Sequence, residues 1–70
     1  MLVKTEVVCP EVWGERERIA LLPPLRMDDR LFLNFVIPEV GEVNGLFVVT
    51  DVLHIHEGRG YVQRLRVQPE

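Results

Sequence analysis

The chain has little of several residues that proteins of its size often rely on. It holds one cysteine, one tryptophan, one tyrosine and, at position 4, one lysine among 70 residues. Cys9 alone rules out a disulfide within the chain, and a single thiol fits a reducing compartment. No apolar run approaches the roughly 18 residues of a membrane span. Met1–Glu6 lacks the basic start and long apolar core of a signal peptide. These absences predict a soluble, cytoplasmic protein. Cations are few as well: the net charge is −3 and the pI is near 5.3. That balance weighs against nonspecific nucleic-acid binding, which rests on Lys and Arg contacts to phosphate. All cations other than Lys4 are arginines, which suit bidentate pairing and protein interfaces.

What is abundant is apolar and β-forming. Hydrophobic residues make up 47% of the chain, mostly Val and Leu. Disordered chains are poor in such residues. Five glycines and five prolines among the valines favour strands and turns over helices. Residues 1–70 are expected to form one domain. A chain this short buries about 60% of the surface its unfolded form exposes. With disulfides excluded, a metal, self-association or a compact core must supply its stability.

Leu2–Cys9 is rich in valine and reads as a first strand, with Val3, Thr5 and Val7 on one face. Pro10 ends it. Glu11–Leu22 admits two readings. A helix would use Pro10 at its first position, but Gly14 weakens it by about 1 kcal/mol relative to Ala. A strand over Glu17–Leu22 would turn Ile19 and Leu21 inward, and this is the reading adopted. Pro23–Pro24 stops either element. Met27–Arg30 supplies turn chemistry through Asp28 and Asp29. Leu31–Ile37 is the clearest strand, with Leu31, Leu33, Phe35 and Ile37 on one face. Its other face, Phe32, Asn34 and Val36, is also mostly apolar, so that face is either covered or an interface. Asn44–Gly45 predicts a tight turn, with Val40 and Val43 tucked beneath it.

The last third reads as a hairpin around Glu57–Gly60. The predicted register pairs His56 with Tyr61, His54 with Gln63, Val52 with Leu65 and Thr50 with Val67. On the opposite face Ile55 meets Val62, Leu53 meets Arg64, and Asp51 meets Arg66 as a charge pair. A bulge near Thr50–Asp51 would disturb the outer pairs. About five strands in so short a chain must curl to bury their apolar face. The expected fold is therefore mainly β: a small antiparallel β-barrel or rolled sheet, SH3-like or OB-like in size, with room for one short helix in 11–22.

Few residues invite chemistry. His54 and His56, two apart in a strand, share one face and are a candidate metal pair. A catalytic zinc takes three protein ligands and a structural one four, and nothing in the sequence brings Cys9 or Glu57 to the pair. The simpler reading is two solvated strand histidines. Cys9 reads as a small buried hydrophobe, because no base or pKa-lowering neighbour is visible. The carboxylates lie in turns or charge-mixed stretches. The glycines fit no phosphate-loop spacing. Arg59, Tyr61, Arg64 and Arg66 form the one basic cluster and an alternative nucleic-acid surface, although Tyr61 is predicted on the face opposite Arg64 and Arg66. Trp13 reads as a core lid or an interface anchor.

The segment Gly45–Leu46–Phe47–Val48–Val49–Thr50–Asp51–Val52–Leu53–His54, followed by Gly60–Tyr61–Val62–Gln63–Arg64–Leu65–Arg66–Val67, resembles a strand pair in small β-barrel domains of phage tail and baseplate hub proteins. Pro38–Glu39–Val40–Gly41–Glu42 with the strand that follows also looks like small bacterial barrel proteins of uncharacterised role. The phage resemblance implies a structural component that builds assemblies and does no chemistry. The expected function is a non-enzymatic assembly or protein-interaction module without cofactor. It would self-associate as a homo-oligomer, with Phe32, Val36 and Trp13 at the interface. The alternatives are a nucleic-acid-binding barrel and a metal-binding protein.

Overall fold

A computed structural model describes residues 1–70. It contains β1 (Val3–Cys9), one helical turn α1 (Pro10–Trp13), β2 (Gly14–Leu22), β3 (Arg30–Ile37), β4 (Gly41–Glu57) and β5 (Gly60–Pro69). The five strands form one sheet in the order β2-β1-β5-β4-β3. The sheet curls into a half-barrel, as the apolar pattern requires. It is mixed rather than wholly antiparallel, because β1 runs parallel to β5 while every other pair is antiparallel. The cause is the chain path. A β1–β2 hairpin docks beside the β3–β4–β5 meander, and the residues between Leu22 and Arg30 cross directly from one sheet edge to the other. So short a link between opposite edges is possible only because the curl brings them together.

One face of the sheet is buried. Val3, Thr5 and Val7 of β1 lie on it, as their alternation predicts, and so do Leu33 and Ile37 of β3 and Leu65 and Val67 of β5. On β4 the inward residues are Val43, Phe47 and Val49, and beyond them Val52. The parity changes because Thr50 is an extra residue: Val49 pairs with Val67, and the next pair is Asp51 with Arg66. A bulge of this kind also bends its strand. Straight, the 17 residues of β4 would span about 56 Å, whereas the longest dimension of the molecule is 36 Å. Past the bulge, the predicted hairpin register holds at every pair from Asp51–Arg66 to His56–Tyr61. The loop tightens to Gly58–Arg59, with Gly58 at φ 56° supplying the positive φ that two-residue hairpin loops require.

Two of these local expectations fail. First, Ile19 and Leu21 point outward, at 58% and 66% exposure. Cross-strand partners share a face, and the inward Val3, Thr5 and Val7 are paired with Leu22, Ala20 and Arg18. The parity of β1 therefore overrides the larger side chains of β2. Second, Asn44 and Gly45 do not turn; they lie inside β4, opposite Asn34 and Leu33. The chain reverses earlier, at Pro38–Val40, where the Val40 N–H donates to the Ile37 carbonyl at 3.0 Å. Gly41 leaves that turn at φ 105°. This earlier reversal carries Val43 into the core and leaves Val40 exposed. Glu11–Leu22 carries both elements that the sequence allowed, a short helix and the strand over Glu17–Leu22. Pro10 opens a single turn of helix, Gly14 closes it at φ 79°, and the strand starts there.

The crossing segment is pinned by one buried amide. Gln63, fully buried, accepts the Leu25 N–H on Oε1 at 2.7 Å. Its Nε2 donates to Thr5 Oγ1 at 3.0 Å and to the Pro23 carbonyl at 3.1 Å. Its polar atoms are thus partnered, which is the condition for burying them. Asp28 takes φ 73°, and the Asp29 carboxylate accepts the Arg26 N–H at 2.8 Å, so the acidic pair supplies the expected turn chemistry.

Candidate functional site

The curl brings the two edge strands, β2 and β3, face to face without joining them. Each hydrogen-bonds to a neighbour on one side only. Between them lies a cleft of about 310 Å³, lined by Arg18, Ile19 and Ala20 on one side and Phe32 to Phe35 on the other. A second hollow of about 440 Å³ continues the seam past Arg16 and Trp13 to Ile37 and Pro38. Side chains bridge the gap where the backbones do not. The Arg18 guanidinium sits 5.4 Å from the centre of the Phe35 ring, a cation–π contact. Arg16 pairs with Glu39 at 3.0 Å, an exposed bridge of small energetic weight.

The two banks of the seam differ in chemistry. β2 carries Glu15–Arg16–Glu17–Arg18, with the glutamates turned to the outer face and the arginines toward the seam. β3 has no charged residue between Arg30 and Pro38. Its outer face presents Phe32 at 61% and Val36 at 65% exposure, with Phe32 directly opposite the exposed Leu46 of β4.

Trp13 is not a surface residue. It is buried, packed edge-on to Phe35 at 5.3 Å and tilted against Phe47 at 6.1 Å, and its Nε1–H donates to the Arg16 carbonyl at 3.0 Å. The helical turn delivers its ring into the core, so Trp13 is unavailable as an interface anchor.

The other sequence candidates separate. Arg64 bonds Glu6 at 2.9 Å and lies 3.6 Å from Glu17, while Arg66 is 3.8 Å from Glu15. The bond that Arg64 donates to the Glu6 carboxylate, and then that carboxylate's charge, raises the Arg64 pKa above its usual value. Both arginines thus belong to an outer face that also carries Glu6, Glu15, Glu17, Asp51 and Leu53, with more acid than base. Tyr61 lies on the opposite face, between His54 and His56, with ring centres 5.4 and 5.6 Å away. Arg59 is at the hairpin tip. The structure does not gather Arg59, Tyr61, Arg64 and Arg66 into one surface. His54 and His56 do share a face, but no third His, Cys, Asp or Glu joins them in a cluster that could hold a metal ion.

Cys9 is fully buried where β1 meets the helical turn. Burial pushes its thiol pKa up, against a smaller opposing pull from the Val12 and Glu11 backbone N–H groups. Cys9 thus packs in the core, where burial disfavours the thiolate.

The residues the sequence reading did not single out are Arg16 and Arg18. Their alternation with Glu15 and Glu17 is visible in the chain, but only the curl shows that they face Phe35 and Glu39. No helix is long and apolar enough to cross a membrane. Comparison with protein-family models, with curated proteins and with solved structures finds no match.

Proposed function

We propose that the protein is a non-enzymatic assembly module that self-associates through β3. The observation that carries this reading is the outer face of that strand: it is uncharged from Leu31 to Ile37, with Phe32 and Val36 standing in solvent beside the exposed Leu46 of β4. Contiguous exposed apolar side chains on a sheet face mark sites of protein interaction. The hollows of the seam hold no cluster of acid, base and nucleophile, which supports a binding role over a catalytic one. The resemblance of the C-terminal hairpin to phage tail and baseplate hub domains points the same way.

Native mass spectrometry of wild type and Phe32→Glu across a dilution series tests the proposal. Phe32 is exposed, so the substitution should change folding stability by no more than about 0.5 kcal/mol. The wild type should populate multimers as concentration rises, and the variant should stay monomeric. An assembly state unmoved by Phe32→Glu removes β3 from the interface.

A further inference from the structure

The cleft between β2 and β3 has a chemistry that self-association leaves unused. Of the three hollows on the molecule it is the apolar one: six of its eight lining residues are hydrophobic, against three of eight in each of the others. Its floor reaches the core through the buried Val7 and Leu33. Its polar residues are Arg18 on one bank and Asn34 on the other, and no carboxylate lines it. Arg18 stands apart among the eight cations of the chain. Arg16, Arg30, Arg64 and Arg66 each face a glutamate, and Lys4, Arg26 and Arg59 stand exposed in water. Arg18 alone is half-buried, because it sits opposite the inward Val7 of β1. The partner the chain gives it is the face of the Phe35 ring. A cation partly withdrawn from water and left without an acid gains from an incoming anion, through charge-assisted hydrogen bonds of the bidentate kind.

We propose that this cleft binds a small amphiphilic carboxylate, with its head on the Arg18 guanidinium and its hydrocarbon tail against Val7, Leu33 and Phe35. The Asn34 amide supplies a second donor at the mouth. An apolar wall with a few placed polar groups is the usual composition of a small-molecule site. The cleft holds about 310 Å³. At roughly 30 Å³ for each water-sized group, that is room for about ten non-hydrogen atoms, the size of octanoate. Arg16 is not the head-group partner, because it faces the neighbouring hollow and is already paired with Glu39. The proposal stands apart from self-association and does not depend on it.

The test titrates octanoate, kept below the concentration at which it self-aggregates, into the full chain at neutral pH. Calorimetry and the fluorescence of Trp13 follow binding. Trp13 is the sole tryptophan, and its ring packs on Phe35 at 5.3 Å, so a ligand on Phe35 should shift its emission. The expected result is saturation at one equivalent per chain with a Kd below about 1 mM, a modest demand on about ten atoms. Octanol, which has the tail without the charge, should bind at least about tenfold more weakly, the loss expected for a hydrogen bond to a charged group. Arg18→Gln should weaken octanoate by a similar factor. Ala20→Leu, which fills the cleft from the β2 side, should abolish binding, with circular dichroism verifying that each variant folds. A wild type that shows no saturable binding overturns the proposal. So does octanol binding as tightly as octanoate, an Arg18→Gln variant of unchanged affinity, or a folded Ala20→Leu variant that still binds.

Discussion

β2 and β3 occupy equivalent places in the sheet and solve opposite problems. Both are edge strands and they face each other across the same seam. β2 contributes no fully buried side chain, and its exposed stretch alternates in charge. β3 buries Leu33 and Ile37, yet leaves Phe32 and Val36 bare on the other side. The strand that matters less to the core is thus the one protected against pairing, and the strand that matters more is left open. Protection by charge is available only where a strand can spare its alternate positions. In β3 the core claims one face, and the other face would be the natural place for charge. That it carries Phe and Val instead is what singles the strand out.

The difference in core contribution can be broken most strongly at Leu33. Leu33→Ala should cost roughly 2–5 kcal/mol by urea denaturation, the range for truncating a buried leucine. Leu21→Ala, the same chemistry on the exposed face of β2, should stay within about 0.5 kcal/mol. Comparable losses at the two sites would mean that β2 is as much a part of the core as β3.

The next effect concerns what holds the two edges together. Gln63→Leu keeps the side-chain volume but leaves the Leu25 N–H, the Pro23 carbonyl and the Thr5 hydroxyl without this partner. The expected cost is about 1–3 kcal/mol, the penalty for buried groups left unsatisfied. Hydrogen exchange should then quicken at the Leu25 amide more than in β5. Uniform quickening would show that the amide braces the whole sheet rather than the crossing segment that links β2 to β3.

A third substitution makes β2 resemble β3. Replacing Glu15 and Glu17 with Thr, and Arg16 and Arg18 with Val, removes the like-charge opposition that two copies of this strand would meet on either face. The exposed bridges lost to Arg66, Arg64 and Glu39 are worth about 1 kcal/mol or less each. The quadruple variant should therefore fold, yet form species larger than the wild type by light scattering. An unchanged size distribution would mean that charge on β2 is not what keeps that edge free.

Much of this contrast was legible in the chain, and what was not has physical reasons. The C-terminal hairpin could be read pair by pair because its alternation is clean and its loop short. The two apolar faces of Leu31–Ile37 were equally plain. The orientation of β2 was hidden because both of its parities hold apolar residues near the end: Ile19 and Leu21 on one, Ala20 and Leu22 on the other. Only the pairing with β1 decides between them. Asn44–Gly45 misled because local turn preference is weak beside the burial of Val43, Phe47 and Val49, which the turn at Pro38–Val40 secures. The parallel pairing of β1 with β5 left no local mark, since it joins residues near opposite ends of the chain. The seam, which depends on that pairing, was illegible for the same reason.

The smallest effect lies at the root of β2, where Cys9 pairs with Gly14. Burial raises the thiol pKa in the folded chain above its ordinary value of 9.0. As pH climbs past 9.0 the unfolded chain loses this proton first, so the unfolded state binds fewer protons and folding stability falls. The contribution is intact below 9.0 and is lost progressively as pH rises toward the folded value. Tyrosine, lysine and arginine also titrate at alkaline pH, so the informative quantity is the difference between wild type and Cys9→Ala. The variant should lose a constant increment of stability below pH 9.0, and the gap should narrow above it. A gap that stays constant through the alkaline range would mean that Cys9 ionises equally in both states, and that the start of β2 opens to water before the rest of the sheet. That would make β2 the looser of the two edges in dynamics as well as in packing.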